Sequence, residues 1–356
     1  MAMMTQWQDF LASQGATIDS VSTASAYVAH YGNPEAELQA ASGGHILADL
    51  SHLGLLQVEG DDAVTFLQGQ VTNDIKLLDG TNSHFAGYCN PKGRLLALFL
   101  AFAHQGHIHL QFDAALLEAI AKRLKMYVMR SKVVITDVSL DISRFGVAGT
   151  NSTAMLQTIF PQIRQDFQVP QEQHGIASLE NATLIRLPGT LPRYEIFTPA
   201  GNAEALWKQL NEQFTAVGKP VWDYLEINAG IPEIVTATQE AFVPQMINLD
   251  VLGGINFKKG CYTGQEIVAR THYLGKVKRR TQLAHIPATG IAPQAGEVIS
   301  TVNSQDAVGQ IVRSAPAPDG GYDVLAEIRL ESLESGGLQW QGVALEIQEM
   351  PYSLAV

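Results

Sequence analysis

The chain has 356 residues, of which 46% are hydrophobic and 16% charged, and a formal net charge of −12. These values describe a folded globular protein of two or three units and exclude a disordered or low-complexity chain. The acidic balance argues against general nucleic-acid affinity, and no apolar run approaches the roughly 20 residues that span a bilayer.

The opening segment, MAMMTQWQDFLASQG, places no basic residue ahead of an apolar stretch and does not read as a secretory leader. Cys89 and Cys261 are the two cysteines, without CxxC spacing, too few for a disulfide framework. The expectation is a reducing compartment and a soluble, cytoplasmic protein. His45–Glu59 is a strand-like apolar stretch ending at Gly60, after which Asp61 or Asp62 can cap a helix through Ala63, Phe66 and Leu67. Asn90-Pro91-Lys92-Gly93 is a turn signal, and Leu95–Ala103 is the continuous apolar run of a buried strand. Beyond Gly106, Ile108, Leu110 and Phe112 alternate as in a strand. His104, His107 and His109 fall here, and without cysteine or carboxylate ligands they read as a solvated hairpin rather than a metal site. Asp113 can cap a helix through Leu116, Leu117, Ile120 and Leu124, and Lys132–Val138 returns as a strand.

After about residue 141 the alternation recurs, with strands at Arg144–Ala148, Ala182–Leu187 and Tyr194–Thr198 and helices at Thr153–Phe160 and Ala203–Phe214. Paired strands with helices packed on them predict an α+β fold. From Gln282 onward, short apolar segments split by Pro287, Pro293, Gly296, Gly309 and Pro316 predict a small all-β barrel or sandwich. The boundary falls near residue 280.

The densest chemical signal is Asn256–Arg270, NFKKGCYTGQEIVAR. Gly260 and Gly264 bracket Cys261, Tyr262 and Thr263 in a tight loop, and Gln265–Ala269 has helical character. Beside Lys258 and Lys259, Cys261 reads either as an activated thiol or as a small buried residue. A hydrolase nucleophile would need a histidine partner, for which His272 is near in sequence only. Seven basic residues (Lys258, Lys259, Arg270, Lys276, Lys278, Arg279 and Arg280) against Glu266 alone make this stretch basic: a solvated face or a site for an anion.

The run Lys259-Gly260-Cys261-Tyr262-Thr263-Gly264-Gln265-Glu266 resembles the signature of the YgfZ family, folate-binding relatives of the glycine-cleavage T-protein. Leu67–Asp74, Asn90–Arg94, Ala229–Glu233 and Phe242–Leu249 are similar to further landmarks of that family in the same order. The resemblance covers roughly residues 45–280. It implies a T-protein-like cloverleaf: an α+β lobe over 1–140, a second over 141–280 with the signature, and a C-terminal β-barrel over 281–356. It also implies a pocket for tetrahydrofolate or a derivative, which needs aromatic surface, a polar group for the pterin edge and cations for the glutamate tail.

By the same resemblance Trp222 corresponds to a pocket tryptophan, with a core tryptophan the other reading. Leu53 stands where relatives have a second pocket aromatic. Glu195 corresponds to a pterin-facing carboxylate, with a water-facing strand residue the alternative. Lys259 and Arg270 are the cations offered to the ligand, and no resident metal site is expected.

Two departures bear on chemistry. T-proteins carry a paired aspartate where this chain has Ala97-Leu98, and neither replacement can transfer a proton. Glu226 replaces an arginine usual in the T-protein helix. The resemblance therefore implies an accessory protein that binds reduced folate and uses Cys261 to support iron–sulfur clusters in client enzymes or assembly partners, rather than aminomethyl turnover. Two cysteines so far apart cannot supply the four thiolates of a held cluster, so any cluster would be transient and shared. The clients include tRNA-modifying enzymes, which makes the link to tRNA indirect. The alternative is a folate-dependent one-carbon transferase whose acid–base group lies elsewhere.

Overall fold

A computed structural model describes residues 2–20, 26–160, 168–302 and 304–354. The fold is α+β, organised around three main sheets. The first has five antiparallel strands in the spatial order Ser83–Cys89, Leu95–His104, His107–Asp113, Leu53–Glu59 and Val134–Asp137. Leu95–His104, an interior strand, is buried along eight of its ten residues, as its uninterrupted hydrophobic run requires.

The second sheet runs Ile176–Ser178, Thr183–Arg186, Arg193–Pro199, Ile142–Ala148, Ile46–Asp49 and Thr215–Val217, with only the last pair parallel. The third is a seven-stranded antiparallel, barrel-like sheet built from Arg279 to Gln348. Its first strand is Arg279–Ile286.

The stretch His45–Glu59 is two strands, not one. Ile46–Asp49 pairs in the second sheet and Leu53–Glu59 in the first, with the chain crossing between them at Leu50–His52. Ile46–Asp49 thus pairs with Ile142–Ala148 and Thr215–Val217, far along the chain, and the N-terminal helix packs near it. The N-terminal helix Ala2–Ser13 goes with them: Trp7 stacks on Phe145 at 5.5 Å and meets Trp207 edge-on at 5.8 Å. Its indole N–H also donates to Asp49 Oδ1 at 2.9 Å.

The alternation at 107–113 has a different physical cause from the one the pattern suggests. Ile108, Leu110 and Phe112 are buried, but so are His109 and Gln111 between them. The polar face of this strand meets the second sheet rather than water. His109 lies flat on Phe102, with ring centroids 5.1 Å apart, and burial lowers its pKa to about 4, so the ring is neutral. The expected solvated hairpin is thus corrected at His109, while its tip, Gln105 and Gly106, is exposed. Asp113 does cap the helical turn at Ala114–Leu116, accepting from the Ala115 N–H at 2.7 Å. Asp62 sits at the start of the Ala63–Gln68 helix, but its carboxylate accepts from the Lys132 N–H instead.

Trp207, fully buried on the helix Ala203–Asn211, carries the core of the second lobe with Phe145, Phe214 and the N-terminal Phe10 and Leu11. Truncation there leaves a void the size of an indole. Trp207→Ala is expected to cost about 3–5 kcal/mol in urea denaturation, and Trp7→Ala a smaller but measurable amount. An unchanged midpoint for Trp7→Ala would show that the N-terminal helix does not support this core.

Candidate functional site

The three sheets and the helix Lys219–Asn228 meet around one cavity, which encloses about 620 Å³ including its open mouth. His52 and Leu53 reach it from the crossing between sheets, Leu98 and Gln111 from the first sheet, Arg193 and Glu195 from the second. The helix supplies Trp222 and Glu226, the turn after it supplies Pro232 and Glu233, and the barrel supplies Arg313.

Backbone pairing sets the positions of Trp222 and Glu195. Glu195 lies opposite Gly146 in the antiparallel ladder, so both face the same side of the sheet. The Trp222 ring occupies the space over Gly146, where any Cβ would come within 2.6 Å of it. Glycine is required there for close approach, and the indole is held beside the carboxyl as a result. The Arg193 guanidinium lies 5.6 Å from the ring centroid, within cation–π range. Trp222 is thus both core and cavity wall.

Glu195 is buried, not water-facing, and accepts from Gln111 Nε2 at 2.6 Å. Burial is the largest influence on it and raises its pKa from 4.5 to about 7. Gln111 keeps an Oε1 without a partner among the described residues, and His52 likewise an Nδ1. Burial also drives the His52 pKa well down, so this ring is neutral.

Around these groups runs an ion network that the sequence did not disclose. Arg193 Nη1 meets Glu226 Oε1 at 2.5 Å, and Arg313 reaches Asp223 at 2.7 Å and Glu226 at 3.6 Å. Lys219 closes on Asp223 from the preceding turn of the helix. The one available signal was spacing: Lys219, Asp223 and Glu226 stand at i, i+4 and i+7. Their partners Arg193 and Arg313 are far off in the chain.

The signature loop forms a separate place. Lys259 turns inward, its ammonium donating to Val71 O at 2.5 Å and Asn73 O at 2.8 Å and lying 5.1 Å from the Tyr262 ring. Desolvation lowers its pKa to about 8. Asn73 Nδ2 donates to Phe85 O and to Gly253 O, both at 2.8 Å. Gly264, at φ +84°, packs its backbone against Asn90 and Gly93, and a Cβ there would lie 2.5 Å from Asn90 O. Gln245 Nε2 donates to Val268 O at 2.7 Å. Three of the sequence landmarks, Leu67–Asp74, Asn90–Arg94 and Phe242–Leu249, therefore pack on the signature loop and the helix that follows it, while Ala229–Glu233 belongs to the cavity.

Cys261 itself is exposed, whereas Cys89 is buried and its thiol is pushed up to about 12 by desolvation. His272 lies flat on Phe257, with centroids 3.7 Å apart. Of the seven basic residues, Lys258, Arg270, Lys276 and Lys278 are exposed. Lys259 is engaged by carbonyls, Arg279 is paired with Glu327, and Arg280 holds Asp250 at 2.6 and 3.0 Å. Trp222, Leu53 and Glu195 come together in the cavity, while Lys259, Arg270 and Cys261 are not among its lining residues. Among the described residues no cluster of His, Cys, Asp and Glu could hold a metal ion, and no helix is long and apolar enough to cross a membrane.

The family described as the GCVT N-terminal domain matches residues 8–256. A tRNA-modifying protein YgfZ of Serratia proteamaculans is 32% identical, over 87% of this chain and 93% of its own. The chain belongs to the YgfZ family. A YgfZ protein of Colwellia psychrerythraea is 33% identical over 65% of this chain and 69% of its own. The glycine-cleavage aminomethyltransferase T of Bartonella henselae is similar in fold, at TM-score 0.78 with 18% identity, over 97% of this chain and 96% of that one.

The raised Glu195 pKa makes stability depend on pH with a definite sign. The folded protein holds this proton more tightly than the unfolded chain, so stability falls as pH rises from about 4.5 through 7 and levels off above. Glu195→Gln, neutral throughout, should remove up to about 3 kcal/mol of that loss between pH 4.5 and 8 in urea titrations. Equal pH slopes for the two proteins would show that the carboxyl is ionised across this range.

Proposed function

We propose that the protein binds a reduced folate in this cavity and acts as an accessory factor for iron–sulfur client enzymes, with the exposed Cys261 as its working thiol. The observation that carries the folate reading is the pairing of the Trp222 ring with the Glu195–Gln111 couple on one wall. A pterin offers a flat ring for the indole and N–H donors for a carboxyl and for the unpartnered Gln111 Oε1. The residues present fit the ring of the ligand. Leu53 and Leu98 add apolar wall where stacking and acid–base groups would otherwise stand. Arg193 and Arg313, the cations of the cavity, are engaged with carboxylates, so the glutamate tail would extend through the mouth toward solvent.

The name of the Serratia relative, tRNA-modifying protein, fits a role serving enzymes that act on tRNA. With a net charge of −12 and three of the seven local cations tied internally, the tRNA link in this reading is indirect. Cytoplasmic location and the transient handling of a cluster at Cys261 belong to the same proposal.

Anaerobic calorimetry with tetrahydrofolate tests the cavity. Saturable binding by the wild type, weakened about tenfold or more in Trp222→Ala, is the expected result. Absence of binding to the wild type would remove the folate reading.

The thiol is tested separately. Because Cys261 is exposed, Cys261→Ser should leave the melting temperature unchanged while cluster-dependent enzyme activity falls in cells relying on the variant. Full retention of that activity would end the role assigned to Cys261.

A further inference from the structure

Between residues 119 and 136 the chain carries five cations, Lys122, Arg123, Lys125, Arg130 and Lys132, and no acid, within a protein of net charge −12. Most of this stretch is the helix Leu117–Val128, which buries Ile120, Ala121 and Leu124 in the core of the first sheet. A buried stripe at that spacing leaves the other side of the helix to solvent, where Lys122 and Met126 stand at i and i+4. Met126 is 63% exposed, Tyr127 44% and Met129 88%, and Val134, just beyond the next turn, is 55% exposed. Large apolar side chains exposed singly are ordinary, but four within nine residues make a patch.

The turn after the helix is held in a costly shape. Met129 ends the helix at φ +46° and ψ −102°, on the side of backbone space that favours glycine. The Ser131 N–H donates to Val128 O at 2.8 Å, the Val133 N–H to Ser131 O at 2.9 Å and the Lys132 N–H to Asp62 Oδ2 at 2.7 Å, which together fix the turn. Strain of this kind collects where a side chain serves contact rather than folding. Directly after the turn, Val134–Asp137 is the last strand of the first sheet. It pairs with Leu53–Glu59 on one side, and among the described residues no strand pairs with its other edge. The helix packs against this strand, so the apolar patch, the cations and the open edge make one corner. Lys132 is paired with the exposed Asp61, and Asp137 turns its carboxylate to the Ser139 N–H. Lys122, Lys125 and Arg130 have no ion pair among the described residues.

We propose that this corner docks an extended, acidic segment of a partner protein, one whose acids alternate with apolar side chains. An open strand edge takes up peptide backbone by continuing the ladder, the unpaired cations meet the acids, and Met126, Met129 and Val134 cover the apolar side chains. Nucleic acid would use the cations and leave the apolar side chains in water. An anionic lipid surface would use cations and apolar groups and leave the strand edge unpaired. A peptide uses all three features. Because the chain as a whole is acidic, the charge that draws an acidic partner here turns it away from most of the remaining surface, which orients the encounter. The surface is independent of the folate cavity and of Cys261.

Fluorescence anisotropy with a short labelled peptide that alternates glutamate with valine and leucine tests the surface, with its lysine-for-glutamate counterpart as the control. The glutamate peptide should bind saturably below about 1 mM, and the lysine peptide should not bind. Met129→Gly removes an apolar contact and relieves the backbone at once, so it should weaken binding about tenfold while the melting temperature stays equal or rises. Lys125→Glu/Arg130→Glu should weaken binding by a similar factor, and a proline in the middle of the peptide should abolish it. Amide hydrogen exchange over Val134–Asp137 should slow when the peptide is bound. Absence of saturable binding, equal affinity of Met129→Gly and the wild type, or unchanged exchange at this strand would each overturn the proposal, whatever the fate of folate binding and of Cys261. Tighter binding of a thymidine oligonucleotide, or of phosphatidylcholine vesicles containing phosphatidylserine, would overturn it in favour of a nucleic-acid or membrane surface.

Discussion

Arg313 is the residue on which the cavity depends. It extends from the barrel into a space bounded otherwise by the two α+β lobes, and it is neutralised there by Asp223, Glu226 and Glu233. Desolvating a guanidinium costs several kcal/mol, and the cost is offset only while every partner is in place. Asp223 and Glu226 stand on one helix, and Glu226 is bound in turn to Arg193 of the second sheet. The network therefore makes the relative placement of barrel, helix and sheet a single electrostatic condition. Asn228 Nδ2 on Asp323 and the Tyr352 hydroxyl on Gly230 O fasten the same junction from its rim.

The signature loop obeys a different constraint, that of backbone packed directly on backbone. Gly93 and Gly264 lie against each other at positive φ, and neither position tolerates a Cβ without displacing its neighbour. Lys259 fills the gap behind the loop with an ammonium that serves as a structural donor. The lysine is therefore committed to backbone carbonyls, while Cys261, two positions on, is exposed. The two places adjoin at Phe85. This residue lines the cavity, while its carbonyl accepts from Asn73, whose own carbonyl receives Lys259.

Features decided by neighbouring residues were legible in the sequence, and features decided by distant ones were not. The Asn90–Gly93 turn, the buried run of Leu95–His104, the Asp113 cap and the start of the barrel all obey local rules of backbone and burial. The pattern at 107–113 shows why legibility stops there. An alternating strand with His109 and Gln111 on one face looks half-solvated, and nothing local reveals that the face meets another sheet. The same limit hid the division of residues 45–59 between two sheets. The cavity is assembled from positions as far apart as His52 and Arg313, so only the family resemblance could nominate Trp222, Leu53 and Glu195, and the residues completing the site around them went unnamed.

Ala97 and Leu98 are both buried, and Leu98 lines the cavity, so the wall there is apolar. An apolar wall lowers the local dielectric and strengthens every remaining charge in the space. Glu226 adds negative charge to the same volume, and Arg313 of the barrel brings positive charge. The compensation is incomplete, because Arg313 is shared among three carboxylates and Lys219 is committed to one of them. Glu195 shows the consequence: with an amide rather than a cation as its hydrogen-bond partner, burial raises its carboxyl to about 7, so the wall beside Trp222 keeps a proton up to neutral pH.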